Sequence, residues 1–580
     1  MKTVLVGINS KYIHTCLAIW YLKASVLKNS YTNNAFTNIM VREFTINDNK
    51  DNILSEIYKE KPNAVAFSCY IWNIEMVLFL SKELKKLLPQ CTIILGGPEV
   101  SYDPQTILEE NGTIDFILAG EGEQAFSVLI DSLSNHLENY KEMSGISYRN
   151  GNSIACNEGF NLVQNLDEIQ SPYTVELLKS VENRILYYES SRGCPFSCSY
   201  CISSTFNGVR FFSFDRVKRD LNMLLEYKPR LIKFVDRTFN CNKQRAKEIF
   251  EYIISLDCNT LFHFEAAADL FDDELLEILS HAKKGLIQLE IGIQTTNSNT
   301  LKEIDRVTDI DKLSKNVNNI INNGNIHVHL DLIAGLPYED LESFKRSFND
   351  VYSMRPHQLQ LGFLKLLKGS KVRSQAQKHG FIYRDYTPYE VLSNNYIFYE
   401  DILLLKDVEE VLERYFNSLK FTTSLEFLEK NIFSNAFELY YKLSVFCREN
   451  GYLDRPISYR ENISILYQFF NSLNNDKLLE TFRQKMVFDF LSSDSSCAIP
   501  ESLKSDRDMV SVNGIHQLLK NEEFIKEYLP NFDGVQTKNI LKRVFFIALD
   551  QLTKEDEITM FDYTQRDLMS GKYRSVIIRF

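Results

Sequence analysis

The chain has 580 residues and a formal net charge of −12, from 77 acidic against 65 basic side chains, so it offers no general positive field for a nucleic-acid backbone. Hydrophobic residues make up 44% and charged residues 24%, ordinary globular usage, and 22 Gly with 13 Pro are too few for a disordered or collagen-like chain. No stretch approaches the ~20 apolar residues of a membrane-spanning helix, and the opening MKTVLVGIN has no signal-type run behind it, so the expectation is a cytoplasmic protein of several domains with neither nucleic acid nor membrane as partner.

Residues 1–150 alternate short apolar runs with amphipathic segments. The runs predict strands over Thr3–Ile8, Ala64–Cys69, Thr92–Leu95 and Asp115–Ala119, with a weaker one before Phe44, each apolar enough to be covered on both faces. Leu17, Trp20, Tyr21, Ala24 and Leu27 follow helical spacing. This is the α/β doubly wound pattern. Two strands end in glycine turns, LGGPE (Leu95–Glu99) and AGEGE (Ala119–Glu123), where open α/β sheets bind ligands. Residues 151–183 lose the alternation and read as a connector with a short hairpin.

A second β-then-α series fills residues 184–380. Its strands are predicted at Ile185–Ser190, Leu231–Asp236, Phe262–Ala267, Ile287–Ile291, His327–Ile333 and Gln358–Gly362, and six such units point to a parallel partial barrel. Several of these strands are polar on one face: His263 and Glu265 on the third, Gln288, Glu290, Gly292 and Gln294 on the fourth, His327, His329 and Asp331 on the fifth. A closed eight-stranded barrel fills its interior with branched apolar side chains, so polar inner faces imply a wider or open barrel holding something polar. Residues 381–580 read as a mostly α-helical domain, with Val408, Val411, Leu412, Tyr415 and Leu419 in helical register and a terminal strand over Ser575–Phe580.

Most of the 11 cysteines are scattered on apolar segments, as at Cys16, Cys91 and Cys447, and read as small buried hydrophobes. Three are not: SRGCPFSCSYC places Cys194, Cys198 and Cys201 in a C-x3-C-x2-C spacing after the first strand of the second series. Three thiolates on one loop can each take one iron of a cubane [4Fe–4S] cluster and leave the fourth iron open. Zinc is the competing ion, although a structural zinc site would want a fourth Cys or His nearby.

With Tyr200 before the last cysteine, and with FVDRTF (Phe234–Phe239), EIGIQ (Glu290–Gln294) and DLIAGLP (Asp331–Pro337) following in order, residues 1–380 resemble the radical S-adenosylmethionine (SAM) superfamily members that carry an N-terminal cobalamin-binding domain. The resemblance implies a Rossmann-like, flavodoxin-like cobalamin domain, a partial (β/α)6 barrel and a helical extension of unknown role. It implies that SAM chelates the open iron, that Tyr200 contacts adenine through its backbone, that Glu290 and Gln294 hold the ribose, and that Gly335, Leu336 and Pro337 line the adenine pocket. Asp236 becomes a candidate for the SAM amino end. The alternative for these acids is plain ion pairing with Lys233 or His329.

By the same resemblance Gly96, Gly97, Pro98 and Glu99, with Gly120, Glu121, Gly122 and Glu123, match the cobalamin-binding loops. The Asp-x-His-x-x-Gly signature of a cobalt-ligating histidine is absent, and His14 has the wrong neighbours, so cobalt is expected without a protein His. Trp72, in the Ser68–Asn73 loop, either covers that face or is a core Trp. The activity implied is methyl transfer from methylcobalamin to an unactivated carbon after hydrogen abstraction by a 5′-deoxyadenosyl radical, with an electron donor such as flavodoxin or ferredoxin. Cyclisation or ring rearrangement without net methylation is the alternative, and a non-catalytic cobalamin sensor the second. His327, His329 and Asp331 are the candidates for substrate contact or proton transfer, since histidine exchanges protons near neutral pH.

Overall fold

Apolar runs without polar interruption form stable strands only where both faces are covered. β1 (Lys2–Asn9), β3 (Ala64–Ser68), β4 (Thr92–Gly96) and β5 (Phe116–Leu118) meet that condition in a parallel array, with the more polar and only partly buried β2 (Asn38–Thr45) at its edge. The computed structural model describes residues 1–33, 38–206, 208–554 and 556–580. β6 (Ile146–Asn150) and β7 (Ser153–Cys156) close the sheet as an antiparallel hairpin, in the order β2-β1-β3-β4-β5-β6-β7. The hairpin expected in the connector is therefore the edge of the first sheet. Val4, Val6, Ile8, Val65, Phe67, Ile93 and Leu95 pack one core cluster with Val77, Leu80 and Leu84 of the helix Ile74–Leu87. The strand order reverses between β1 and β3, which opens a crevice at their carboxyl ends.

β8 (Leu186–Tyr188) begins the second series and is shorter than the predicted Ile185–Ser190, because the chain turns at once into a separate antiparallel hairpin, β9 (Ser191–Cys194) and β10 (Gly208–Phe211). β11 (Leu231–Phe234), β12 (Leu261–Glu265) and β13 (Ile287–Gln294) follow, with β11 parallel to β8 and β12, and β12 parallel to β13. β14 (His327–Ala334) and β15 (Gln358–Phe363) complete a sheet of order β15-β14-β13-β12-β11-β8. β13 alternates buried and partly exposed residues along its whole length, the predicted two-sided pattern. A short hairpin, β16 (Ile382–Tyr383) with β17 (Val391–Ser393), comes after it.

The chain forms two compact units. One comprises Met1–Glu290, Leu301–Asn316 and Phe363–Asn395; the other comprises Ile291–Thr300, Val317–Gly362 and Tyr396–Phe580. In the second unit, helices Tyr399–Tyr415, Thr422–Asn431, Ala436–Glu449, Tyr459–Ser472 and Asp476–Ser493 bear out the helical reading. Val408, Val411, Leu412 and Tyr415 are buried as predicted, whereas Leu419 lies beyond the helix end at φ +58°.

The terminal strand expected over Ser575–Phe580 is β20 (Tyr573–Arg579), and the otherwise helical reading of this region is corrected by two further strands, β18 (Val544–Ile547) and β19 (Glu557–Arg566), which join it in an antiparallel sheet. β19 is buried at five consecutive residues, Ile558 to Asp562. Covered on both faces there, it lacks the period-two alternation that reveals a half-buried strand.

Gly97 sits at φ +113°, and a Cβ there would lie 2.5 Å from the Cys69 carbonyl oxygen, while at Gly96 the nearest atom is an ordinary 3.6 Å away. Gly97→Ala is expected to lower stability by about 1–3 kcal/mol and Gly96→Ala by less than about 1 kcal/mol, read as shifts in the thermal or urea midpoint. Equal effects would show that the turn is not held as described.

Candidate active site

The cysteine motif is built on the β9–β10 hairpin. Cys194 ends β9 opposite Gly208, and the close pairing needs glycine at Gly193, whose Cβ would fall 2.2 Å from the Gly208 carbonyl oxygen. Cys198 is buried, and Cys194 and Cys201 are partly exposed. The loop between them is pinned by Ser199, whose N–H donates to the Ile304 carbonyl (2.9 Å) and whose carbonyl accepts from the Val372 N–H (2.8 Å). Cys194 Sγ lies 3.6 Å from Thr238 Oγ1. Arg306 Nη1 donates to the Tyr200 hydroxyl (3.1 Å) and lies 3.8 Å from Cys198 Sγ. Burial pushes the Cys198 thiol up, and the Arg306 cation opposes that shift. Among the described residues no three His, Cys, Asp or Glu side chains converge on one ion. A cubane asks for no such convergence, since each thiolate takes a different iron, and the donor set fits it. Cys16, Cys91 and Cys447 are buried, as read from their apolar segments.

Arg192 on β9 directly faces Arg210 on β10, an arrangement of like charges that is unfavourable alone. Glu121 accepts from Arg210 Nη1 (3.0 Å) and the Val163 N–H (2.7 Å) and lies 3.4 Å from Arg192, which also pairs with Glu123 and with Glu189 at 3.0 Å. Burial raises the pKa of Glu121, but Arg210 and Arg192 outweigh it and hold the carboxyl below its usual range. The AGEGE turn thus spends both its carboxylates on the cysteine hairpin, and the turn itself is set by Gly120 at φ +89° against Asn161. Gly122 opens the following helix. Glu99 is likewise occupied, accepting from the Tyr389 hydroxyl and lying 3.5 Å from Lys368. Asp236 is buried and accepts from Ser190 N–H (3.0 Å), Ser190 Oγ (2.7 Å) and Ser191 Oγ. These bonds fix the start of the hairpin.

Register brings Tyr187, Lys233, His263 and Gln288 into one row across β8, β11, β12 and β13. Glu290, one step further along β13, accepts from His263 Nε2 (2.8 Å) and Lys233 Nζ (3.0 Å), both on Oε2. Burial alone would raise its pKa; the His263 hydrogen bond and the Lys233 charge overcome this and bring it down to about 2. The ion pair with Lys233 weighed from sequence is therefore present, and Oε1 takes part in neither bond. At the other end of the row Tyr187 OH lies 2.6 Å from His14 Nδ1, and burial with Lys11 and Lys233 pushes the His14 pKa down.

The crevice between β1 and β3 carries exposed apolar side chains. Trp72 is 43% exposed and Tyr12 67%, so Trp72 is not a core residue. Its indole N–H donates to the Ile8 carbonyl (3.0 Å) and its ring stacks on Tyr70 at 4.5 Å. Ser68 ends β3 beside Gly7 and Gly96, with Gly97 and Pro98 in the adjoining turn. Large exposed aromatic side chains at a topological switch point suit a broad, planar cofactor.

In the second unit, Gln294 sits at φ +73° with a buried Oε1 that lacks a hydrogen bond, an acceptor suited to a ligand hydroxyl. Gly335 at φ +90° turns the chain out of β14, with Leu336 and Pro337 buried. His329 Nε2 lies 3.0 Å from Asp331 Oδ1. His327 stacks on His357 at 4.9 Å, and His357 Nδ1 accepts from the Val328 N–H (3.2 Å), which places its proton on Nε2. Sequence reading passed over Arg192, Arg210, Arg306 and His357. Lys233 was the legible one, a lone charge inside an apolar strand.

Family models match as follows: B12 binding domain over residues 3–130, Radical SAM superfamily over 188–351, and Protein of unknown function (DUF4080) over 377–563. The chain thus carries a B12 binding domain followed by a radical SAM domain. It is 26% identical to the cobalamin-dependent radical SAM methyltransferase TokK of Streptomyces tokunonensis, over 51% of this chain and 46% of TokK. It is 23% identical to the anaerobic magnesium-protoporphyrin IX monomethyl ester cyclase of Rubrivivax gelatinosus, over 58% of this chain and 61% of the cyclase. The match spans about half the length of such curated relatives. The structure of OxsB, a cobalamin-dependent SAM radical enzyme with aqua-cobalamin bound, shares the fold with a TM-score of 0.60 at 14% identity, covering 84% of this chain and 79% of OxsB.

Glu339, just after Gly335–Pro337, is fully buried; Thr295 and Ser347 hydroxyls donate to Oε1, and Oε2 has no hydrogen bond. Burial lifts its pKa to about 7, against the pull of those two hydroxyls. The folded protein thus holds a proton that the unfolded chain releases near pH 4.5, so this contribution to stability is full below pH ~4.5 and is lost as pH rises to ~7 and beyond. A Glu339→Gln variant is expected to flatten that window by up to about 3 kcal/mol, measured as the thermal midpoint from pH 4.5 to 8. An unchanged pH profile would show that Glu339 is ionised in the fold.

Proposed function

We propose that this chain is a cobalamin-dependent radical SAM enzyme that transfers a methyl group to an unactivated carbon of its substrate. The observation that carries the reading is the clamp between the cysteine hairpin and the AGEGE turn of the cobalamin-type sheet: the turn that ends β5 holds, through two arginines, the loop that carries the three thiols. When bound, the cluster, SAM and cobalamin supply an electron, a cleavable sulfonium that generates a hydrogen-abstracting radical, and a transferable methyl.

The chain's own residues hold and screen these groups. Cys194, Cys198 and Cys201 are the iron ligands. Glu290 Oε1 accepts from the ribose, with Lys233 and His263 keeping the carboxylate charged at every working pH. Gln294 Oε1 is a second ribose acceptor, Tyr200 offers its backbone to adenine, and Gly335–Pro337 form the adenine wall. Trp72 covers the cobalt face, the backbone of Gly96–Pro98 and of the Gly120–Gly122 turn supports the rest of the cofactor, and His14, bonded to Tyr187, is not a cobalt ligand. His327, His329 and Asp331 contact the substrate or move its proton. A flavodoxin or ferredoxin is the electron donor, in the cytoplasm, where an oxygen-labile cluster is kept reduced.

Similarity to the ester cyclase favours a second reading, cyclisation without net methylation. Anaerobic incubation with SAM and reductant separates the two: methylation yields 5′-deoxyadenosine together with S-adenosylhomocysteine, cyclisation yields the first alone, and a non-catalytic sensor yields neither. A protein with Cys194, Cys198 and Cys201 all changed to Ala is expected to lose the four irons of the reconstituted cluster; iron retained with the same spectrum would refute the ligand assignment.

Glu290→Gln is expected to weaken SAM binding roughly 10- to 150-fold, the loss of about 1.5–3 kcal/mol of charge-assisted hydrogen bonding, with cluster content intact by iron analysis. SAM affinity equal to wild type would leave Glu290 as an internal ion pair only.

A further inference from the structure

We propose that Arg306 is a positioning residue that raises the reduction potential of the cluster, by holding a cationic N–H donor against the Cys198 sulfur. The inference rests on the reading of Cys198 as an iron ligand and goes beyond it, since no family motif named above contains Arg306.

The guanidinium is always charged and presents its donors in a rigid fork. One nitrogen, Nη1, meets both the Tyr200 hydroxyl oxygen at 3.1 Å and Cys198 Sγ at 3.8 Å. The bond to the phenol oxygen fixes the direction of the fork, so its approach to the sulfur is set by a side chain of the same cysteine loop. The backbone on either side is fixed as well. Arg306 N–H donates to the Leu301 carbonyl (2.9 Å), the neighbouring Ile304 carbonyl accepts from Ser199 between two of the cysteines (2.9 Å), and Asp305 pairs with Lys371 at 2.6 Å. The guanidinium cannot swing away from the sulfur without giving up its bond to the Tyr200 hydroxyl.

Adding one electron to a thiolate-ligated cluster makes its sulfurs more negative. A fixed cation that donates to one of them favours the reduced state, and hydrogen bonds to the sulfurs and local charge are among the terms that set such potentials. Cys194, by contrast, meets the neutral hydroxyl of Thr238, so these two ligands differ in the charge that faces them. The consequence for the reaction is a cluster that a weak physiological reductant can reach.

The test uses the anaerobically reconstituted full-length protein, with the midpoint of the one-electron couple followed by electron paramagnetic resonance in wild type, Arg306→Gln and Arg306→Lys. With about four irons per chain retained, R306Q is expected to titrate at a more negative midpoint than wild type, and R306K, which keeps the charge but not the fork, between the two. An R306Q midpoint equal to wild type would overturn the proposal. If R306Q does not retain the cluster, R306K decides alone: a negative shift supports the role and an unchanged midpoint overturns it. Failure of the underlying reading looks different, because wild-type protein would then bind no cluster at all.

Discussion

Two arginines face each other across a hairpin of two four-residue strands, and the rest of the first unit is arranged to make that tolerable. Arg192 and Arg210 occupy directly opposed positions on β9 and β10, where like charges repel. Three carboxylates answer them: Glu121 and Glu123 from the turn after β5, and Glu189 from the residue just after β8. Because the groups are largely withdrawn from water, each charge depends on the others being in place; removing one partner of such a buried set leaves an uncompensated ion, typically costing about 3–5 kcal/mol. The hairpin that carries Cys194 is thereby coupled to the geometry of the first sheet, and Asp236 completes the anchoring by taking three bonds from Ser190 and Ser191.

The same economy governs the polar face of the parallel strands. Lys233 is a cation in the middle of an apolar strand, and it is balanced by Glu290 two strands away, with His263 between them in register. The parallel register alone brings these side chains onto one face, so the row Tyr187–Lys233–His263–Gln288 needs no loop to assemble it. Its link to His14 through Tyr187 runs from the barrel-type strands to the segment after β1, and that segment belongs to the switch-point crevice where Trp72 stands exposed. His14 Nδ1 is taken up by the Tyr187 hydroxyl, and the usual histidine signature is absent from the sequence.

The DUF4080 segment, residues 377–563, carries buried charges that are paired among the described residues. Its charged interior is structural: Arg483 pairs with buried Asp508 through both terminal nitrogens, and Asp489 accepts from Thr423, Ser424 and Lys572. These bonds join helices to the terminal sheet and its flanking turns. No helix among the described residues is long and apolar enough to cross a membrane.

The sequence by itself determined the strands of both series to within a few residues, because apolar runs of four to eight between turn signals are a local property, and it determined the cysteine triplet, because three ligands on one loop are set by spacing alone. It also displayed the two-faced character of β13 through strict alternation. What only the tertiary structure decided were the partners of the charges. Glu121 and Glu123 look like loop carboxylates free to meet a ligand, and their engagement with Arg192 and Arg210 depends on chain segments some 70 and 90 residues away. Arg306 lies 108 residues from Cys198, with no periodicity to connect them. β19 was hidden for the opposite reason: burial on both faces erased the alternation that a sequence can show, and only its hydrogen-bonded neighbours reveal it as a strand.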